Sequence, residues 1–187
     1  MKQLANKHIL LCVTGGIAAY KAAEIIRLFK TSNAEIKVLM TQAAQEFITP
    51  LTMQALSGNL VHTDLLSTEA EAAMGHIELA RWSDAILIAP CSANSIAKLA
   101  EGRGDDLMST VCLAASCPIY IAPAMNQAMW ADSRTQINFS KLKENKFISI
   151  GPDAGEQACG DEGYGRMSEP KEIVKIVSKK FSTGLIA

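Results

Sequence analysis

Small polar clusters stand directly behind the apolar runs of this chain, and their residue types are the ones that bind and activate ligands. Thr14-Gly15-Gly16-Ile17 follows the run Ile9–Val13. Glycines let backbone N–H groups approach a phosphate, and a helix N-terminus behind them favours negative charge. The same residues also make a tight turn that binds nothing, and both readings stay open here. The run is not G-x-G-x-x-G and no G-K-[ST] follows it, so the motif indicates neither NAD nor ATP. Pro90-Cys91-Ser92-Ala93-Asn94-Ser95 follows a second run. Ser92 is either a helix N-cap or, with Asn94 and Ser95, part of a site for a ligand rich in acceptors. Cys91 is either a small buried hydrophobe or a nucleophile, with no histidine placed beside it.

Three further residues have types suited to proton transfer or carboxylate binding. His76 lies in Gly75-His76-Ile77-Glu78-Leu79-Ala80-Arg81-Trp82. It serves either as a structural histidine or as an acid–base group near neutral pH. His8 and His62 have weaker claims. Asn126 lies in Pro123-Ala124-Met125-Asn126-Gln127-Ala128-Met129-Trp130, where it is either a ligand or a helix N-cap ahead of core Met129 and Trp130. Cys159 differs from the other cysteines. It sits in Ala158-Cys159-Gly160-Asp161-Glu162-Gly163-Tyr164-Gly165-Arg166-Met167, a glycine-rich stretch where burial is hard to arrange and a reactive thiol is plausible.

These residues need a frame. Ile9–Val13, Ile36–Met40, Ala85–Ala89, Ile119–Ala122 and Phe147–Ile150 are short apolar runs stopped by Gly, Pro or Thr, and they predict buried strands. Ala22, Ile25, Ile26 and Phe29 fall at i, i+3, i+4 and i+7 and predict a helix after the first strand. Further helices are predicted over Ser92–Ala100, over Asp105–Ala115, and from Ser168 or Glu169 onward with Pro170 in the first turn. Alternating strands and helices imply one three-layer αβα domain, an α/β fold of the Rossmann-like or flavodoxin-like kind with a parallel sheet, spanning 1–187. Ligands of such sheets lie outside the carboxyl ends of the strands, where the polar clusters stand. Gly151–Arg166 holds five glycines in sixteen residues and is expected to be a functional or mobile loop.

Composition excludes several classes. At 187 residues, 49% apolar and 20% charged, the chain is an ordinary globular domain. A net charge of −1 argues against nucleic acid or an anionic membrane as partner. No apolar run reaches membrane-spanning length, and the N-terminal run meets Gly-Gly where a signal peptide has its cleavage site, so a cytoplasmic location is expected. The five cysteines are scattered without CxxC spacing, against a zinc ribbon and a disulfide scaffold, and no metal site is expected.

Taken together the motifs resemble the flavin-dependent cysteine-decarboxylase family. The family block P-A-S-A-N-T stands here as Pro90-Cys91-Ser92-Ala93-Asn94-Ser95, and P-x-M-N-x-x-M-W stands unaltered as Pro123–Trp130. The catalytic-histidine segment stands as Gly75–Leu79, and the pair A-C-G-D and G-R-M as Ala158–Asp161 and Gly165–Met167. The resemblance runs from about Ile9 to the last helix, with the blocks in family order. Cys91 for Ala and Ser95 for Thr are departures conservative in size.

The resemblance implies FMN as cofactor and phosphopantothenoylcysteine as substrate, decarboxylated to phosphopantetheine in coenzyme A biosynthesis. The implied route is thiol oxidation to a thioaldehyde, loss of carbon dioxide into the C=S group, and reduction of the ene-thiol. By resemblance Gly15, Gly16, Ile17 and Thr41 hold the FMN phosphate and ribityl chain. Ser92, Ala93, Asn94, Ser95 and Ala124 hold the flavin. His76 is the base, Asn126 binds the substrate carboxylate, and Cys159 protonates the ene-thiolate. Arg81 reaches the substrate phosphate, and Ala158 and Met167 line a covering loop over 151–167. The family's trimers, often gathered as dodecamers, imply a homo-oligomer. Bacterial members often continue into a ligase half, so the chain is expected to be either a stand-alone decarboxylase or one domain of such a protein. Two alternatives share the likeness: an oxidative peptidyl-cysteine decarboxylase, which stops at the ene-thiol, and a non-catalytic flavoprotein regulatory subunit.

Overall fold

The computed structural model describes residues 4–65, 75–145, 147–158 and 160–182. The apolar runs form β1 (His8–Val13), β2 (Glu35–Met40), β3 (Val61–His62), β4 (Ala85–Cys91), β5 (Ile119–Pro123) and β6 (Ile148–Ser149). They make one sheet in the order β3-β2-β1-β4-β5-β6, with every pairing parallel. Side chains alternate along each strand, and both faces are buried. Ile9, Leu11 and Val13 of β1 enter one core, and Leu10 and Cys12 enter the other. Helices α1 (Lys21–Thr31), α3 (Pro50–Ser57) and α9 (Pro170–Ser182) cover the first face through Ile25, Phe29, Met53, Ile173 and Val177. Helices α4 (Gly75–Trp82), α5 (Ala93–Ala100), α6 (Leu107–Ala114) and α8 (Ser133–Glu144) cover the second through Leu79, Ile96, Val111 and Leu142. The result is the expected three-layer α/β domain.

Several boundaries differ from those the sequence predicts. Ser92 caps α5 by accepting from the Ser95 N–H, so the helix starts at Ala93. Asp106, not Asp105, starts α6, because its carboxylate accepts from the Ser109 N–H at 2.8 Å and a capping box closes. Strands β4 and β5 continue through Pro90 and Pro123. Pro90 falls at a bulge between Ile88 and Cys91, where the missing N–H removes no ladder bond. The extra residue shifts the alternation: Ala89 faces the first core, and Cys91, two residues on, faces the second. Short α2 (Gln42–Gln45) and polar α8, which buries only Phe139 and Leu142, carry little apolar periodicity to predict them by. A 3-10 turn over Ile17–Tyr20 separates Gly16 from α1.

The largest difference lies in Gly151–Arg166. It is not a loop throughout: β7 (Asp153–Glu156) and β8 (Glu162–Arg166) pair antiparallel. Its glycines hide the strand pattern, and the hairpin is held by backbone contact with the segment after β5. The Met125 N–H donates to the Gly165 carbonyl at 2.9 Å. A Cβ on Gly165, whose φ is +131°, would collide with the Met125 carbonyl oxygen.

The sheet order reverses between β1 and β4, so the chain leaves these neighbours in opposite directions and opens a crevice between them. Thr14 bridges its floor. Its hydroxyl, on a residue 1% exposed, donates to the Pro90 carbonyl at 2.7 Å and accepts from the Ser92 N–H at 3.0 Å. Thr14→Val keeps the shape and removes both bonds. It is expected to lower the free energy of unfolding by about 1–3 kcal/mol, the cost of stranding such groups. Denaturant unfolding measures this, and an unchanged midpoint would show that the bridge carries no stability.

Candidate functional site at the carboxyl edge of the sheet

Because all six strands run parallel, their carboxyl ends share one edge, and most of the polar clusters meet there. Gly15 lies at the end of β1 against the start of α2. A Cβ placed on it would stand 2.6 Å from the Ala43 Cβ, so only glycine lets these loops pack. Gly16 faces open space, with nothing within 4 Å of where a Cβ would be, and Ile17 beside it is exposed. Thr41, at the end of β2, caps α2 by accepting from the Ala44 N–H at 3.3 Å and keeps its own O–H to donate. The Thr41 N–H is held by the Val13 carbonyl at 3.0 Å, which fixes this loop to the end of β1.

The β4 end brings Ser92, Ala93, Asn94 and Ser95. The Ser92 and Ser95 hydroxyls pair at 3.0 Å, Ser95 is buried, and Asn94 is exposed. The capping reading of Ser92 therefore holds, and it does not exclude ligand binding by its neighbours. Cys91 is fully buried, and burial pushes its thiol well above the ordinary cysteine range. Buried Cys112 is pushed up to about 12 for the same reason, and Cys117 to about 11. None of these three thiols has a nucleophile's environment. Ala124 follows β5, its N–H held by the Cys91 carbonyl at 3.0 Å.

Asn126 is half-buried and makes contacts on both sides of its amide. Its Oδ1 accepts from the Ala128 N–H at 2.8 Å, capping α7 (Gln127–Ala131). Its Nδ2 donates to Asp161 Oδ2 at 2.9 Å, on the β7–β8 hairpin. Gln157 pins the same hairpin: its Oε1 accepts from the Gln127 N–H at 2.9 Å, and its Nε2 donates to the Met125 and Tyr164 carbonyls at 3.4 Å. Met129 is exposed instead of core, while Trp130 packs edge-on against Phe139 at 4.8 Å. Gln157, outside the quoted motifs, and Asp161, quoted in A-C-G-D without a role, are neighbours of Asn126 to which sequence reading gave no part. The signal was present in the polar Gln157 and Asp161 flanking Ala158 and Cys159, but only the fold sets them on Asn126.

Other expected residues are placed differently. His76 is half-buried in the first turn of α4, with no side-chain hydrogen bond among the described residues. Helix α4 ends at Trp82, which stacks on His8 at 4.7 Å between ring centroids. His8 opens β1, so Trp82 marks the amino edge, and His76 lies on the carboxyl side of it. Arg81, next to Trp82 and exposed, is near that amino edge, and the rim is a strand length away, about 20 Å. Ala158 is exposed on the hairpin. Met167 is 2% exposed and part of the first core, and its carbonyl accepts from buried Lys21 Nζ at 3.3 Å. Cys159 lies outside the described residues.

The rim therefore offers hydroxyls, open glycine backbone and an oriented amide, a donor set for an anionic ligand with many acceptors. A concavity of about 1060 Å³ lies at the opposite edge, lined by Asp84, Cys117, Pro118 and Phe147 among others. Its charges are spent on pairs, such as Glu101 with Lys141 at 2.8 Å. Among the described residues no helix is long and apolar enough to cross a membrane.

Known proteins give the context. The chain is 56% identical over 180 residues to the coenzyme A biosynthesis bifunctional protein CoaBC of Haemophilus influenzae, covering 96% of this chain and 45% of that protein. It is 49% identical over 179 residues to the Escherichia coli protein of the same name, covering 96% of this chain and 44% of that protein. The chain thus spans just under half the length of these curated relatives. Its structure is similar to that of a PPC decarboxylase mutant complexed with pantothenoylaminoethenethiol, with a TM-score of 0.84, 31% identity, and coverage of 95% of this chain and 99% of that one. It is also similar to the FMN binding protein AtHal3, with a TM-score of 0.82, 31% identity, and coverage of 95% and 98%. The Flavoprotein family model matches residues 1–182, and the chain belongs to that family.

Proposed function

We propose that the chain decarboxylates phosphopantothenoylcysteine to phosphopantetheine, with FMN as cofactor, as a step of coenzyme A biosynthesis. The observation that carries this reading is the carboxyl-edge rim itself. Loops from β1, β2, β4 and β5 present phosphate and ring donors next to an asparagine amide that already holds a carboxylate. Similarity to proteins named for these activities supports it.

The residues present fit FMN. Gly16 leaves its backbone open to a phosphate, Thr41 retains a hydroxyl donor, and Asn94 is exposed beside buried Ser95. In this reading Gly15, Gly16, Ile17 and Thr41 hold the phosphate and ribityl chain, and Ser92, Ala93, Asn94, Ser95 and Ala124 hold the ring. When bound, FMN supplies reversible two-electron oxidation at the substrate thiol, which gives the carbanion left by carbon dioxide a C=S group to delocalise into. Asn126 Nδ2 binds the substrate carboxylate and holds it in the orientation for departure. His76 moves the proton of the substrate oxidation. Cys159 delivers the proton that completes the saturated product, and the 151–167 segment covers the substrate, with Ala158 on its surface and Met167 anchoring its base in the core.

We also propose a homotrimer, or a dodecamer made of four such trimers. Exposed Ile17, Tyr20, Phe47 and Leu51 supply apolar surface on the loops joined at Gly15 and Ala43. In this reading Arg81, near the amino edge of its own sheet, binds substrate phosphate across such an interface. The cytoplasm is the proposed location, in keeping with the free thiols of Cys12, Cys91 and Cys112.

The direct test is to mix the purified chain with FMN, remove free flavin by gel filtration, and add phosphopantothenoylcysteine. Retained flavin absorbance and release of carbon dioxide are expected; a chain that stays colourless and inert would end this reading. His76→Asn should keep FMN and lower carbon dioxide release by about 10²–10⁴-fold, the range for a positioned proton-transfer group. Wild-type turnover in that variant would leave His76 a structural residue. Cys159→Ser should still release carbon dioxide but yield the ene-thiol, about two mass units lighter than the saturated thiol because two hydrogens are missing. Mass spectrometry of the product reads this. Saturated product at an undiminished rate would remove Cys159 from the mechanism. Ene-thiol from the unmutated chain would favour the oxidative peptidyl-cysteine decarboxylase.

A further inference from the structure

We propose that Asp161 is a built-in stand-in for the substrate carboxylate, and that substrate binds by exchanging one carboxylate for another at Asn126. This rests on the reading that Asn126 binds that carboxylate. Three features of the structure lead to it. First, the Asn126 amide has a fixed orientation, because its Oδ1 is committed to the Ala128 N–H at 2.8 Å. The Nδ2 side is therefore the donor face offered to a ligand. Second, that face is engaged by an anion, the Asp161 carboxylate at 2.9 Å. The bond is charge-assisted and has the chemistry expected of the substrate group. Third, the anion comes from an exposed residue near the end of the hairpin, and the rest of the hairpin is held independently. Gln157 binds the Gln127 N–H at 2.9 Å, and the Gly165 carbonyl binds the Met125 N–H at 2.9 Å. The Asp161 carboxylate can leave Asn126 without those contacts breaking.

Two carboxylates at one amide repel each other, so they occupy it in turn. The tethered carboxylate is always near, at high effective concentration, and lowers apparent substrate affinity by the fraction of time it fills the site. The arrangement has a direct consequence for turnover. Substrate displaces Asp161 because it brings a carboxylate as well as its other contacts. Once carbon dioxide has left, the product has no group to compete, and Asp161 reoccupies Asn126. The exchange favours the carboxylated ligand at entry and release of the decarboxylated one at exit.

The test uses FMN-loaded protein carrying His76→Asn, so that substrate is not consumed. Calorimetry measures binding of phosphopantothenoylcysteine and, separately, of phosphopantetheine, which lacks the carboxylate. Adding Asp161→Asn keeps the side-chain size and removes the competing charge. It should tighten phosphopantothenoylcysteine binding by several-fold to about tenfold, by release of the competitor, and leave phosphopantetheine unchanged. Asp161→Ala should act in the same direction. Weaker binding of phosphopantothenoylcysteine, or an equal change for both ligands, would overturn the proposal and make Asp161 a structural residue of the hairpin. Asn126→Asp in the same background separates the two ideas. It should weaken the carboxylated ligand alone. If it weakens neither, the Asn126 reading fails; if it does so and Asp161→Asn still gives no selective gain, only the exchange fails.

Discussion

One buried hydroxyl holds the two strand ends on which the rim is built. At the switch point between β1 and β4 the polypeptide departs in opposite directions, and nothing in the parallel ladder beyond Cys12 and Ile88 ties these ends together. Thr14 does so, through the Pro90 carbonyl and the Ser92 N–H. The bulge at Pro90 makes this possible, because the extra residue turns a carbonyl toward β1 and hands Ser92 to the start of α5. The two polar loops on either side of the crevice thus have one shared origin. The distance between Gly16 and the Ser92–Ser95 turn follows from that bridge and not from the loops' own rigidity.

The second constraint is a meeting of backbones. The hairpin and the segment after β5 approach so closely that Gly165 has no room for a side chain, and Gly163 has none against Gln127. Glycine costs conformational entropy, which helices and strands ordinarily avoid. Here that cost permits contact between main chains, and Gln157 completes it with hydrogen bonds to the rim segment and to Tyr164. The glycines that make Gly151–Arg166 look like a loop are what allow it to be an ordered pair of strands.

Legibility followed from burial. Strands β1, β2, β4 and β5 bury most of both faces, so nearly every residue is apolar and the runs stood out, His8, Glu35 and Lys37 at the amino ends being the charged or polar exceptions. Helix α1 showed its stripe because Ala22, Ile25, Ile26 and Phe29 face the core and little else does. Helix α8 buries two residues and is sustained by its Asp132 cap, so periodicity had nothing to report. For the site, the clusters after the strands were visible because parallel strands must end at one edge. For Arg81 and Met167, proximity in the chain does not give position in the fold. Arg81 lies close to His76 in the chain, but α4 carries it back toward the amino edge. Met167 ends a polar, glycine-rich stretch, yet its side chain is the first to return to the core.

The site is graded from fixed to exchangeable. At its floor the contacts are buried, neutral and made to backbone, as at Thr14, and water cannot compete for them. At the hairpin end the contact is exposed and charge-assisted, as at Asp161, where water and other anions can. Gln157 lies between, partly buried and bonded to main chain. A binding site needs this order: groups that define position must not move, and groups that admit and release a charged ligand must be replaceable by it. Asn126 stands where the two regimes meet. One atom of its amide is bound to the helix it caps and the other to a residue that can leave, so a single side chain both keeps its place and changes its partner.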